Sequence, residues 1–284
     1  MSRPDFWAVF AADPTAMIIL DPRSRHIAEA AAAGGLEIAE RWSIDGPIGR
    51  VHAALLTGRS RSGASPTRGA IALDDVRYVR LVDRFLLPEN PGPIVSAALF
   101  DVVASHYDHL THQAVNTQVA ESLLRAVCDS CAGKQTVLDF GCGTGVARLS
   151  AARLATEGID IELVGTDLSQ AMLQLAAMRG EKVIPLSQWR ALPAGGFDGA
   201  IAVFVLHYGV PDADLASLAS QLRNDGRFAA NFFKPPQGAI ARLASSLAAH
   251  GMRIEREEPL EMTSADNVLL VFRKVGSGDV GSDS

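Results

Sequence analysis

Aromatic residues make up only 6% of this 284-residue chain, cysteine occurs three times, and the 26 Lys and Arg are outnumbered by 32 Asp and Glu. Each shortage removes a class of protein. Three cysteines cannot build a disulfide framework, and Cys128 and Cys131 form a single C-x-x-C without the second pair that a four-ligand zinc site takes. No metal is therefore expected, and the thiols read as reduced and structural. A formal charge of -6 gives no electrostatic footprint for nucleic acid. No apolar run approaches the roughly 18 residues of a membrane span. The N-terminus also lacks the basic start, apolar middle and small-residue cleavage site of a secretory leader. The expectation is a cytoplasmic protein with no membrane partner. Against these absences stand 48% hydrophobic and 20% charged residues, an ordinary globular composition, in a chain long enough for one large domain or two modest ones.

The most informative stretch is 136–146, TVLDFGCGTGV. Apolar and β-branched residues run into Asp139, then Gly141, Gly143 and Gly145 alternate with small residues before a helical pattern starts at Val146. This reads as a buried strand, a tight turn and a helix start. Glycine reaches positive φ, and its missing Cβ lets backbone N–H groups come close to a ligand. An acid at Asp139 would repel a pyrophosphate and attract an ammonium or sulfonium group, so the turn favours a cationic ligand.

Upstream, residues 16–20 predict a strand, 24–34 an Ala-rich helix, 36–42 a second strand, 51–56 a further short apolar run and 74–87 a helix by period. Residues 58–69, GRSRSGASPTRG, predict an exposed loop. The prolines of LPENPGP, 87–93, end the preceding helix and set a boundary, giving a small N-terminal α/β domain over 1–93. Helices are expected at 94–107 and 114–127. Strands at 136–140, 161–166, 183–186, 200–206 and 227–233 then alternate with helices at 146–156, 169–178, 212–223 and 239–249, before a closing strand pair at 252–256 and 268–273. Such alternation builds a mainly parallel sheet with helices on both faces and a ligand site at the C-terminal strand ends. This second domain spans 94–275, and 276–284 reads as a flexible tail.

Asp167 ends the second strand of that domain, in LVGTDLSQAML, about 20 residues past the glycine turn, where an acid accepts both ribose hydroxyls of a nucleoside. A dinucleotide fingerprint would read G-x-G-x-x-G, whereas here Gly141-x-Gly143-x-Gly145 follows Asp139. Taken in order, VLDFGCGTG, GTDLSQAML and LPAGGFDGAIAVFVLHYG resemble the class I S-adenosylmethionine-dependent methyltransferases, over about residues 100 to 275. The resemblance implies a Rossmann-like α/β sheet and S-adenosyl-L-methionine as cofactor. It implies that Gly141, Cys142 and Gly143 lie against the methionine part, that Asp139 helps to hold its amino group, that Asp167 takes the ribose hydroxyls, and that Leu168 and Met172 pack on the adenine. Where the family often has D-A-x-x-L-P, this chain has Gln188-Trp189-Arg190-Ala191-Leu192-Pro193. Gln188 thus stands in for the acid, with a carbonyl able to accept from the adenine amino group, while Trp189 could stack on or flank the ring.

The segment HYDHLTHQAVNTQVAESLL resembles the helix pair that covers the cofactor in many of these enzymes. Tyr107 would then reach the methionine carboxylate or the sulfonium region, and His112 and Asn116 are candidate substrate contacts. Farther upstream, the order strand, Asp-Pro, helix, GGLEIAERW is distantly similar to the opening of nucleoside diphosphate kinases. Asp21 stands where that family has a lysine, and its phosphorylated-histidine motif has no counterpart, so a substrate-covering or dimerising module is expected.

Methyl transfer needs a nucleophile aligned with an electrophilic methyl group, and sometimes a proton removed. His207 follows the apolar run AIAVFVL and, with Tyr208, is the candidate base or substrate-orienting pair, since histidine titrates near neutral pH. Asn231 and Lys234, at the next strand end, are further substrate-binding candidates. The absence of Asn-Pro-Pro-Tyr there argues against DNA adenine methylation. The expectation is O- or N-methylation of a small-molecule acceptor, in a bacterial biosynthetic pathway, by a chain that forms homodimers through its N-terminal domain. Two other classes stay open: a noncatalytic S-adenosylmethionine-binding or scaffold protein, and a NAD-dependent oxidoreductase.

Overall fold

The structure, a computed structural model, describes residues 6–46, 48–58, 71–73, 75–81, 84–89, 91–128, 133–260 and 267–276. Cys131, the loop expected at 58–69 apart from Gly58, and the tail beyond residue 276 lie outside them. Two compact units divide the chain, Met1–Val102 and Val103–Ser284. Among the described residues no helix is long and apolar enough to cross a membrane.

The first unit runs α1 (Phe6–Ala12), β1 (Met17–Asp21), α2 (Ser24–Ala33), β2 (Leu36–Gly46), β3 (Gly49–Gly58), β4 (Ile71–Ala72), β5 (Arg77–Leu81), β6 (Phe85–Pro88) and α3 (Gly92–Val103). Its six strands lie in the order β2-β3-β1-β6-β5-β4. The apolar stripe of α2, Ile27, Ala30 and Ala31, is buried with Met17, Ile19, Ala54 and Leu56 from the sheet, as an Ala-rich amphipathic helix requires. Where a helix is expected over 74–87, the described residues include the antiparallel strands β5 and β6 instead. Apolar residues there satisfy either period, and pairing decides: Ile18 and Ile19 of β1 align in parallel with Phe85 and Leu86. The fully buried Tyr78 donates a hydrogen bond to Asp21 Oδ2. Tertiary partners therefore override local periodicity.

The second unit opens with a 3₁₀ turn, Ala104–His106, then α4 (Tyr107–Leu110), α5 (Gln113–Val127), β7 (Gln135–Phe140), α6 (Val146–Ala155), β8 (Ile161–Thr166) and α7 (Gln170–Met178). It continues with β9 (Lys182–Val183), α8 (Leu186–Trp189), β10 (Phe197–Ala202), a 3₁₀ turn at Leu206–Tyr208, α9 (Asp212–Gln221), β11 (Leu222–Phe233), α10 (Ala239–Ala249), β12 (Met252–Pro259) and β13 (Asn267–Lys274). The seven strands order as β12-β13-β11-β10-β7-β8-β9. They are parallel from β11 to β9, with β13 antiparallel to β11 and β12 antiparallel to β13. This is the Rossmann-like α/β sheet that the alternating pattern predicts. Strand order reverses direction at β7, flanked by β8 on one side and β10 on the other. In open α/β sheets a crevice forms outside the strand ends at such a point.

Two boundaries differ from the sequence reading in ways that shape this crevice. The strand expected over 183–186 shrinks to Lys182–Val183, because Pro185, at φ -56, opens α8. The strand expected over 200–206 stops at Ala202. Phe204 takes a left-handed φ of 54 and turns the chain into the 3₁₀ segment that carries His207.

Candidate functional site

The glycine turn after β7 is folded back on β8 by two hydrogen bonds, from Gly141 N and Cys142 N to Thr166 O, at 2.8 and 3.0 Å. Gly141, Gly143 and Gly145 have φ of 75, 54 and 79, a region in which only glycine sits without strain. A side chain at Gly141 would overlap Val205, whereas one at Gly143 would meet no protein atom within 4 Å. The Gly143 backbone therefore faces open space. Asp167 braces the turn: Oδ2 accepts from Gly143 N at 2.9 Å and Oδ1 from Ser169 N at 2.8 Å. Ser169 in turn caps α7, its hydroxyl accepting from Met172 N at 3.1 Å.

This turn forms one wall of a small cavity whose other walls are Tyr107, Asn116, Thr144, Val146, Val203 and Phe204, with Asp139 at its base. Asp139 is 1% exposed and its Oδ1 has no hydrogen-bond partner. Burial, and then the charge of Asp167, push its carboxyl up to about 7. Tyr107 is held protonated, its phenol raised by burial and by Tyr208, Asp167 and Asp108 nearby. Asn116 is buried and donates to Thr111 Oγ1 at 3.0 Å, tying α5 to the end of α4.

Several residues that complete the site carry no local signal in the sequence. Asp108 Oδ1 accepts from Thr144 Oγ1 at 2.6 Å, Asp108 Oδ2 accepts from Arg179 Nη2, and Arg179 Nη1 donates to Thr144 Oγ1 at 2.9 Å. The three side chains clamp α4, and with it Tyr107, to the glycine turn and the end of α7. Glu181 is 4% exposed, and neither carboxyl oxygen has a partner. Burial first, and then Asp139, raise it to about 9, with Arg148 pulling the other way. In the text RGEKV this residue reads as an ordinary surface charge.

Other sequence-based candidates lie outside the lining of this cavity. Trp189 is fully buried and packs on Phe140, ring centroids 5.2 Å apart, so no ring face is open for stacking on a ligand; its neighbour Gln188 is exposed on α8. Asn231 is 0% exposed, and both ends of its amide are used internally. Its Oδ1 accepts from Phe204 N at 2.7 Å and its Nδ2 donates to Asn267 Oδ1 at 3.0 Å. It positions the Phe204 turn and has no free group for a substrate. His112, at φ 57, is exposed at the start of α5 and does not line the cavity. Lys234 lies over the Phe233 ring, 5.1 Å from its centroid. Leu168 is half-buried and Met172 buried beside Asp167.

His207 and Tyr208 stand together on their 3₁₀ turn, ring centroids 4.0 Å apart, with Phe204 edge-on to His207 at 6.4 Å. His207 keeps an exposed edge, while the protein around the ring lowers its pKa to about 4. Burial pushes Tyr208 up to about 12.

The chemistry of these groups fits a nucleoside that carries an ammonium group. An unpartnered buried carboxyl oxygen, a glycine backbone open to the cavity and a second acid at the end of β8 meet at the reversal of strand order. Residues 137–226 match the model of a methyltransferase domain family. No curated protein matches the chain in sequence. Among solved structures, the cyclase SpnF superposes with a TM-score of 0.51 at 18% identity, over 66% of this chain and 98% of that one. A 1,6-didemethyltoxoflavin-N1-methyltransferase from Burkholderia thailandensis, solved with its substrate and S-adenosylhomocysteine, gives 0.48 at 21% identity over 73% of this chain and 99% of that one. The magnesium protoporphyrin IX methyltransferase of Synechocystis, solved with S-adenosylmethionine bound, gives 0.47 at 20% identity over 64% of this chain and 96% of that one. Built around Asp139 and its glycine turn, the second unit carries the methyltransferase-domain match over residues 137–226 on a Rossmann-like α/β sheet.

Proposed function

We propose that the chain methylates an oxygen or nitrogen of a small-molecule acceptor, with the cofactor held at the β7 turn. The observation that carries this reading is the unpartnered Oδ1 of Asp139 beneath an open glycine backbone, with Asp167 fixed at the next strand end. In it, Asp139 faces the cofactor's amino group, Gly141, Cys142 and Gly143 line its methionine part, and Asp167 accepts the ribose hydroxyls. Leu168 and Met172 support the adenine, and Gln188 reaches its amino group from α8. Tyr107 covers the sulfur-facing side. When bound, the cofactor supplies an electrophilic methyl group on a sulfonium.

The chain's own part is then alignment, exclusion of water and, for a hydroxyl acceptor, removal of a proton. Val203, Phe204 and Tyr107 give the cavity an apolar and aromatic wall, suited to a small acceptor. His207, held largely neutral at pH 7 by its lowered pKa, is the group placed to take a proton, with Tyr208 orienting the acceptor. The first unit serves as an accessory module and as the homodimer surface, in a cytoplasmic biosynthetic enzyme.

Calorimetric titration with S-adenosylhomocysteine, followed by labelled methyl transfer to a panel of phenols, alcohols and amines, tests the reading. Binding together with transfer to any acceptor supports it. Binding without transfer to the panel would favour a noncatalytic cofactor-binding protein, and stabilisation by NADH but not by S-adenosylhomocysteine would select an oxidoreductase. Light scattering of the full chain checks the dimer.

A further inference from the structure

Glu181 sits behind the cofactor wall, at the start of the short segment that leads from α7 into β9. Two glycines are needed to admit it. A Cβ at Gly145 would come within 3.0 Å of Oε2, and one at Gly165 would overlap Oε1 and come within 2.8 Å of Cys142 Sγ. The carboxyl group is thus wedged between the turn, β8 and the Cys142 thiol, 4% exposed and without a hydrogen bond to either oxygen. An unpartnered acid in such a place costs stability that an apolar side chain of the same size would not. A costly group retained next to a binding wall points to a role in binding.

The charged groups that act on Glu181 are Asp139 from β7 and Arg148 from α6, and the Cys142 thiol of the turn lies with its carboxyl group against Gly165. Arg148 is the single cation among them. The Cys142 thiol is raised well above its usual range by burial and by Asp167, Glu181 and Asp139, and stays neutral. A carboxyl buried without a hydrogen bond to either oxygen favours its protonated form, and burial and then the charge of Asp139 both raise Glu181, so this acid holds a proton.

We propose that Glu181 is a positioning residue that holds this proton in reserve, and that arrival of the cofactor's ammonium group at Asp139 drives it into solvent. The cofactor then meets both acids as carboxylates. This rests on the assignment of Asp139 to the cofactor's amino group. The sign follows from linkage: a cation binds better to the deprotonated pair, so affinity rises with pH as long as the free protein still holds the proton.

The test is the affinity of the full chain for S-adenosylhomocysteine, by calorimetry between pH 7.0 and 8.5 in two buffers of different ionisation enthalpy. The ligand's own amino group contributes equally to all variants and cancels in the comparison. The wild type is expected to release a fraction of a proton at pH 8 and to gain about threefold or more in affinity across this range relative to Glu181→Gln, whose release at pH 8 vanishes. Equal proton release and equal pH dependence in the two proteins would overturn the role of Glu181. Thermal melts of the free proteins check that Glu181→Gln folds; should it not, absence of proton release by the wild type at pH 8 overturns the proposal by itself. Loss of binding in Asp139→Asn at every pH supports the cofactor assignment. Failure of the wild type to bind S-adenosylhomocysteine at all would remove that assignment and this inference with it, an outcome distinct from binding without proton release.

Discussion

Thr144 on the glycine turn donates its hydroxyl to Asp108 Oδ1 at 2.6 Å across 36 positions of sequence, and Arg179 bonds to both of them from the end of α7. Asp108 and Arg179 are only 23% and 27% exposed, so solvent screens the pair less than it does a surface salt bridge. Because Tyr107 precedes Asp108, the clamp holds Tyr107 against the cavity. Arg179→Gln should weaken S-adenosylhomocysteine binding by about tenfold, from loss of charge-assisted hydrogen bonds worth about 1–2 kcal/mol. Arg179→Lys should restore part of it. Calorimetric dissociation constants check this, and wild-type affinity in Arg179→Gln would show that the clamp does not position Tyr107.

Gly141 and Gly143 should respond differently to the same substitution. Gly141→Ala introduces a Cβ that overlaps Val205 at φ 75, and should destabilise the fold by about 3 kcal/mol from strain and overpacking. Gly143→Ala meets no protein atom at φ 54, and should cost only about 1–2 kcal/mol of backbone strain while abolishing cofactor binding, since its methyl enters the cavity. Thermal melts with and without S-adenosylhomocysteine separate the two effects. A Gly143→Ala protein that binds normally would put the cofactor elsewhere.

The contrast between these glycines and the clamp shows what the sequence makes legible. The β7 turn can be read locally because its strand is buried and its turn needs positive φ, both of which leave marks within eleven residues. Asp167 is legible by its spacing from that turn. Glu181, Asp108 and Arg179 are not, because a charged side chain is marked as internal only by its partners, and these lie 35 to 71 positions away or, for Glu181, are missing. Asn231 and Trp189 err in the opposite direction. A polar or aromatic residue at a strand end reads as a ligand contact, yet Asn231 is consumed by Phe204 and Asn267, and Trp189 by the core. The β5–β6 strand pair fails for the related reason that its apolar residues suit either period until β1 is beside them.

Asn231 should accordingly behave as a structural residue with a remote effect on activity. Asn231→Ala leaves the Phe204 N–H and the Asn267 amide without partners in a buried setting, at a cost of about 2–4 kcal/mol. The Phe204 turn, left-handed at φ 54, should loosen with it. Chemical denaturation gives the stability loss. The accompanying prediction is that acceptor KM rises more than cofactor affinity falls, because the proposed function puts Phe204 and the adjoining His207 turn on the acceptor side. A drop in cofactor affinity with acceptor KM unchanged would reverse that assignment.

His207 provides a pH test of the base assignment. Lost hydration on the side of the ring that faces the protein, where Phe204 and Tyr208 lie, lowers its pKa to about 4, below the usual 6.5 or so. With a depressed folded-state pKa, the neutral ring is favoured in the fold. The stability it contributes is present above pH 6.5 or so and is lost as pH falls through about 4. Neutral imidazole is also the form that takes a proton, so methyl transfer should hold level from pH 8 down to about 5, with its acid limb below that. The exposed edge of the ring lets the proton leave to water after transfer. Titration of the His207 ring protons by NMR in the full chain measures the pKa directly, and His207→Gln should lower kcat by about 100-fold with cofactor affinity unchanged. A ring that titrates at 6.5, or a His207→Gln enzyme with undiminished kcat, would leave alignment by Phe204 and Tyr208 as the whole of this loop's contribution.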